Sequence, residues 1–130
     1  MRKLMLGLLM GFGLAACATL QPELVPSNWQ FTALNGRTLS ADDRVTMEFA
    51  EGRVSGVSGC NRYTGPVALG EENAIAFGLL ATTRMACLGE AAEIEAAFLH
   101  QMSRIDSYRF ERGALVFFAS GTEVMRAQRD

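Results

Sequence analysis

The chain has 130 residues, of which 49% are hydrophobic and 20% are charged, and its formal net charge at pH 7 is −2. This length suits a single domain with a buried core. The 12 basic residues are scattered along the sequence, which excludes the basic stripe typical of nucleic-acid-binding surfaces.

The first 16 residues have the layout of a secretory signal. Arg2 and Lys3 precede an apolar run from Leu4 to Leu14, and the small residues Ala15 and Ala16 follow. The run is shorter than the span of about 20 residues that a transmembrane helix needs. Because Cys17 comes next, the stretch 14–17 resembles the bacterial lipobox, which implies removal of residues 1–16 and lipidation of Cys17.

Lipidation predicts attachment to a membrane, because two or more acyl chains hold a protein stably at a bilayer. Residue 18 is Ala and not Asp, which favours the periplasmic face of the outer membrane over the inner membrane. The alternative is an ordinary cleaved signal in which Cys17 is incidental. Loss of Arg2 and Lys3 leaves 10 basic against 14 acidic residues, so the mature chain carries a net charge of −4.

Residues 17–28 contain Pro22 and Pro26 and have no apolar periodicity, so they predict a short tether, followed by one domain over residues 29–127. Alternating apolar residues and intervening turn residues predict β-strands in the domain. The predicted strands cover residues 29–34, 37–39, 45–50, 53–58, 67–69, 74–80, 108–110, 115–118 and 123–127. Two-residue turns are predicted at Asn35-Gly36, Glu51-Gly52, Arg112-Gly113 and Ser120-Gly121.

The pattern changes to a helical period in one place. Ala91, Ile94, Phe98, Met102 and Ile105 recur at steps of three and four residues, which predicts one α-helix over residues 90–105. Strands, then a helix, then strands indicate the α+β class, with an antiparallel sheet.

Cys60 and Cys87 remain once Cys17 is lipidated, and the oxidising periplasm favours a disulfide between them. A nucleophile and base formed by Cys60 and His100 lacks a third group to orient the histidine. A zinc site from Cys60, Cys87 and His100 lacks the usual short ligand spacing. We therefore expect no catalytic residue, metal or cofactor, with His100 solvated beside the apolar stripe.

Two segments carry a family resemblance. The sequence GCNRYTG at residues 59–65 is followed by TRMAC at residues 83–87, with Trp29 before them and the ALVFF and EVM strands after the helix. This arrangement resembles the META domain, also called HslJ-like after heat-shock protein HslJ. The resemblance implies a small antiparallel barrel-like sheet with one helix. It also implies a bacterial envelope protein linked to heat-shock and antibiotic-tolerance phenotypes, without an established catalytic activity.

The two motifs leave two interpretations open. Asn61, Arg62, Tyr63, Thr64 and Arg84 are candidate ligand-binding residues, but Asn61 also makes local backbone hydrogen bonds readily, which favours a structural role. The leading functional hypothesis is a non-enzymatic lipoprotein that supports the envelope through contact with another protein. The alternative is a small-ligand or inhibitor-like binding domain that uses the loop 61–64. Neither predicts a nucleic-acid partner.

Overall fold

A computed structural model of the chain describes residue 24 and residues 26–130. The predicted signal, Cys17 and most of the predicted tether lie outside the described residues. The elements in chain order are β1 (Ser27–Leu34), β2 (Arg37–Thr38), β3 (Thr46–Ala50), β4 (Arg53–Val57), β5 (Arg62–Leu69), β6 (Ile75–Phe77), β7 (Ala81–Thr82), α1 (Gly89–Met102), β8 (Ser107–Glu111), β9 (Ala114–Ala119) and β10 (Thr122–Arg129).

One antiparallel sheet runs through the domain in the order β6-β5-β4-β3-β1-β10-β9-β8, with β2 and β7 paired to β1 and β5. An isolated bridge between Ala74 and Ser107 brings the two ends of this order together, and the amide of Ile75 donates to the carbonyl of Asp106. The sheet is thus nearly closed into a barrel with one α-helix. This confirms the predicted α+β class and the small barrel-like sheet.

The four predicted two-residue turns are confirmed by their backbone. Both residues of Asn35-Gly36, Glu51-Gly52, Arg112-Gly113 and Ser120-Gly121 have positive φ angles. Tight hairpin turns of this handedness match the right-handed twist of the strands that they join. Asn and Gly adopt this backbone most readily, which is why the turns were visible in the sequence.

The helix packs on the sheet through the predicted apolar stripe, and Ile94, Phe98 and Met102 are buried. The Phe98 ring lies 5.4 Å from Phe31 and 5.2 Å from Tyr63, measured between centroids. Each such buried side chain contributes about 1.5–3 kcal/mol relative to exposure. The predicted end at residue 105 is three residues too late. Ile105 lies beyond the end of α1 but is also buried, and its spacing of three residues from Met102 continues the helical pattern in the sequence.

The folded part begins before the predicted boundary at Trp29. Strand β1 starts at Ser27, and Leu24 is fully buried and lines a cleft together with Phe49 and Val67. The Ser27 hydroxyl donates to the carbonyl of Leu24 (3.1 Å) and accepts from the Trp29 indole N–H (2.8 Å). These contacts attach the end of the predicted tether to the barrel. Strand β10 likewise extends past residue 127 to Arg129.

A β-bulge interrupts the edge strand that was predicted over residues 74–80. Val67 pairs with Phe77 and Thr64 pairs with Ala81. An advance of three residues along β5 therefore corresponds to an advance of four residues along the edge segment. One extra residue on one strand defines a bulge and reverses the alternation of side chains after it. Leu79, predicted to share a face with Phe77, is therefore 93% exposed.

Gly65 permits the close approach at the bulge. A Cβ atom on Gly65 would lie 2.7 Å from Cδ2 of Leu80, which packs over this point of β5. A residue with a side chain cannot occupy this position without displacing Leu80. The strand predicted over residues 67–69 is too short, since β5 begins at Arg62 and runs through Gly65 and Pro66.

Candidate functional site

A hydrogen-bonded cluster around Asn61 joins three segments of the chain. The Asn61 side-chain NH₂ donates to Glu95 on α1 (2.8 Å) and to the carbonyl of Met85 (3.3 Å). Its side-chain oxygen accepts from the Thr83 hydroxyl (2.9 Å) and the Met85 amide (2.7 Å). Every hydrogen-bonding position of this amide is thus occupied, and Asn61 is only 5% exposed. The geometry assigns Asn61 to structure and leaves it no free group for a ligand.

Glu95 is the centre of this cluster on the helix side. Its Oε1 accepts from the Ser58 hydroxyl (2.5 Å) and from the Asn61 backbone amide (2.8 Å). Partial burial raises the pKa of Glu95, but the hydrogen bonds from Ser58 and Asn61 together lower it below the ordinary value. Glu95 was not among the site residues predicted from the sequence. The sequence offers one indication of its role, because Glu95 is an acidic residue that directly follows the buried Ile94 in the helix.

The predicted disulfide is confirmed. Cys60 and Cys87 are bonded, with their Cα atoms 6.1 Å apart and a sequence separation of 27. The bond reinforces the connection that Asn61 makes between the end of β4 and the segment before α1. Both sulfur atoms are thereby removed from nucleophilic or metal chemistry. His100 is exposed in the last turn of α1, and no group of three metal-ligating residues occurs within the described part of the chain.

The segment between the bulge and the helix displays apolar side chains to solvent. Leu79, Leu88 and Met85 are 93%, 86% and 59% exposed. We call these three residues the apolar display. Between Gly78 and Gly89 the chain has no acidic residue, and its single charged residue is the exposed Arg84. The structure therefore places the candidate residue Arg84 on this segment, beside the cluster that fixes Asn61.

The other candidate residues lie elsewhere than predicted. Arg62, Tyr63 and Thr64 belong to β5, so the binding loop predicted over residues 61–64 is wrong for all but its first residue. All three line a groove of about 630 Å³ on the barrel, whereas Asn61 and Arg84 do not line it. Thr82 of the edge strand lines the same groove. The structure thus separates the five candidates between two surfaces.

The groove lies where the pairing of β3 and β4 is interrupted, between the Glu48–Ser55 pair and the bridge from Val45 to Ser58. Their pairing stops after Glu48 and Ser55, and the Val57 amide donates instead to the side-chain hydroxyl of Thr46 (3.0 Å). The carbonyl of Thr46 accepts from the Tyr63 hydroxyl (2.7 Å). Tyr63 therefore connects β5 to β3 across the intervening strand.

Gly56 makes this connection possible. A Cβ atom there would lie 2.2 Å from the carbonyl oxygen of Thr46 and 3.0 Å from the Tyr63 hydroxyl. Burial raises the pKa of Tyr63 well above its ordinary value, so the hydroxyl stays protonated and donates. Tyr63 itself is only 2% exposed, so it lines the groove as a buried side chain.

A row of polar side chains runs across strands β1, β3, β4 and β5 beside the groove. Asn28 pairs with Glu48, Glu48 with Ser55, and Ser55 with Thr64, so their side chains share the outer face of the sheet. Arg62 lies two residues further along β5 on the same face. The groove can therefore offer a carboxylate, hydroxyls and a guanidinium to a ligand.

Among the described residues, no helix is long and apolar enough to cross a membrane.

Comparisons with known proteins agree with this architecture. A solved structure described as an NMR structure of a protein from Burkholderia xenovorans is 25% identical, with a TM-score of 0.68, and the match covers 93% of this chain and 99% of that chain. A second NMR structure is 19% identical with a TM-score of 0.64, covers 83% of this chain and 94% of its own, and shows the shared fold. No curated protein matches the sequence. The META domain profile matches residues 22–130, so the chain belongs to the META domain family.

Proposed function

We propose that this META-family chain is a lipid-anchored, non-enzymatic module of the bacterial envelope that acts by contact with another envelope protein. The observation that carries the proposal is the apolar display, Leu79, Met85 and Leu88, held out from the barrel surface. A contiguous exposed apolar patch is typical of a protein-contact site, and we take these three side chains as parts of one such patch. The composition of the segment also fits, because interfaces favour Met and Arg and are depleted in acidic residues.

Rigidity supports the same proposal. The segment is fixed before Leu88 by the disulfide at Cys87 and by the Asn61 contacts to Thr83 and Met85. A surface that is ordered before binding loses less conformational entropy on association. The bracing therefore presents Met85 and Leu88 in a fixed position to a partner.

The proposed location rests on the lipobox-like stretch 14–17. Acylation of Cys17 would hold the domain at the periplasmic face of the outer membrane, in line with Ala at position 18. A role in envelope integrity or stress tolerance follows from the family resemblance. Mass spectrometry of the membrane fraction tests the anchor: we expect lipid on Cys17 and a water-soluble product for Cys17→Ser. An unmodified, soluble wild type would overturn it.

Site-specific photo-crosslinking in intact cells tests the contact surface. A photoreactive residue at position 79 or 88 should crosslink to the same envelope protein, whereas one at the exposed position 122 should not. Leu79→Ser combined with Leu88→Ser should then weaken binding of that purified protein and abolish complementation of a deletion strain. Equal crosslinking from position 122 would contradict the proposal.

The non-enzymatic part has its own test. His100 is the single histidine, and general acid–base catalysis near neutral pH most often uses this residue. We expect His100→Ala to complement as well as wild type. A His100→Ala variant that folds and localises normally but fails to complement would support an enzyme instead.

A second function, binding of a small ligand, is favoured by the groove of about 630 Å³ beside Arg62 and Thr64. This volume lies within the usual range of ligand sites.

A further inference from the structure

We propose that this groove binds an unblocked oligopeptide of three or four residues in an extended conformation, with its amino group at Glu48 and its carboxylate at Arg62. The inference rests on the second, ligand-binding function and is independent of the apolar display. It names the ligand class from the charges of the groove and the distance between them.

Two opposite charges of the groove have no partner. In the part of the chain that the structure describes, neither the carboxylate of Glu48 nor the guanidinium of Arg62 forms an ion pair or a side-chain hydrogen bond. Both residues are exposed and both line the groove. Each can therefore take a charged ligand group without first breaking a contact within the domain.

The strand register gives the separation of the two charges. Glu48 faces Ser55 and Ser55 faces Thr64, so the carboxylate lies two strands away from β5, or about 9.6 Å at the usual strand spacing. Arg62 lies two residues from Thr64 along β5, which adds about 6.8 Å in the perpendicular direction. The two Cα atoms are thus about 12 Å apart, and the two side chains form no ion pair with each other.

Both side chains belong to the outer face of the sheet, and when both project outward their charges lie about that far apart. A ligand that engages both residues in this arrangement carries its own opposite charges at a similar distance. An extended peptide spans about 3.3–3.6 Å per residue, so three or four residues place the terminal amino group and the carboxylate at this distance. A single amino acid is too short to reach both groups.

The other groups of the groove agree with this polarity. Asn28 pairs with Glu48, and the Asp130 amide donates to the carbonyl of Asn28, so a second acidic residue lies at the end that would take the amino group. The hydroxyls of Ser55 and Thr64 lie between the two ends and can bond peptide amides. A phosphorylated ligand fits poorly, because Arg62 is the single basic residue among those that line the groove.

The experiment uses the mature chain with Cys17→Ser, labelled with ¹⁵N and titrated with tetra-alanine while amide chemical shifts are recorded. We expect saturable shifts at groove residues of β4 and β5. N-acetylation or C-amidation of the peptide should each weaken binding about fivefold, the effect of one exposed ion pair. Glu48→Gln should weaken the free peptide equally but leave the N-acetylated peptide unaffected, and Arg62→Gln should do the same for the C-amidated peptide.

Glu51→Gln and Arg53→Gln are matched controls, because they change the same residue types outside the groove and should leave binding unchanged. No saturable shifts, or equal binding of the doubly blocked peptide, would overturn the proposal. The protein-contact function is tested separately, because Leu79→Ser with Leu88→Ser should leave tetra-alanine binding intact. Loss of peptide binding in that folded variant would also contradict the assignment to the groove.

Discussion

Two carboxylates with lowered pKa values serve different purposes in this domain. Glu95 is partly buried and accepts hydrogen bonds from Ser58 and Asn61, which lower its pKa against the opposing effect of burial. The Glu111 side chain on β8 is 34% exposed, and the hydrogen bond and charge of Arg109, and also Arg126, lower its pKa. The first carboxylate joins α1 to the distant turn between β4 and β5, whereas the second pairs with neighbours on an already formed sheet.

The comparison shows that the direction of a pKa shift does not reveal what a contact does for the fold. At Glu95 both donors come from the turn between β4 and β5, so loss of the contact removes the link between this turn and α1. At Glu111 the strands stay paired without the charges, and water screens the ion pairs. We therefore expect the stability of the domain to depend on the cluster around Asn61 and hardly on the charges of β8 and β10.

The largest expected effect comes from the disulfide beside Glu95. Cys60→Ser combined with Cys87→Ser should lower the free energy of unfolding by about 2–5 kcal/mol, because the 27-residue separation is no longer closed in the unfolded chain. Denaturant unfolding of the soluble Cys17→Ser chain measures this, with and without the added changes. If reductant leaves the midpoint of the Cys17→Ser chain unchanged, the bond contributes nothing.

Loss of the Asn61 amide should have the next largest effect. Asn61→Ala removes the side-chain hydrogen bonds to Thr83, Met85 and Glu95, so the Met85 N–H and Oε2 of Glu95 lose their Asn61 partner, at a cost of about 3 kcal/mol. Asn28→Ala, an exposed asparagine on β1, should change stability by less than about 0.5 kcal/mol. Equal midpoints for the two variants would show that the cluster is not a bracing element.

These contacts also show which features of the domain can be predicted from the sequence and which cannot. The turns, the helix and the pairing of Cys60 with Cys87 follow from local composition or compartment, and the structure confirms them. Glu95 could not be found in this way, because its donors are 34 and 37 residues distant and no short spacing signals them.

The β-bulge is a second feature that the sequence pattern does not predict. A single extra residue in the edge strand turns Leu79 outward, yet the sequence pattern 74–80 is still compatible with an uninterrupted strand. The available signal was the consecutive pair Leu79-Leu80 opposite Gly65, which breaks strict alternation. The burial of Leu24 was not predicted for a related reason, since the short stretch between Pro22 and Pro26 is too brief to show a period and only the barrel shows where Leu24 is buried.

Acid should reveal the Glu95 contribution directly. The pKa of Glu95 is lower in the folded chain than in the unfolded one, so its contribution is complete above the unfolded value of about 4.3 and is lost as pH falls through the folded value. Glu95→Gln should therefore destabilise the domain by about 1.5 kcal/mol at pH 7, and this difference should shrink below pH 4. A pH-independent difference in unfolding midpoints would assign the loss to packing alone.

Glu111→Gln should have the smallest effect. Its pKa is lowered like that of Glu95, so linkage gives the same sign, with stabilisation present above about pH 4.3 and lost toward acid. Because water reaches the Glu111 side chain and Arg126 also pairs with Glu123, the remaining charges rearrange and water replaces the lost acceptor. We expect unfolding curves at pH 7 that superimpose on those of wild type, in low and in moderate salt. A loss as large as that of Glu95→Gln would show that surface ion pairs brace this barrel as strongly as the cluster around Asn61.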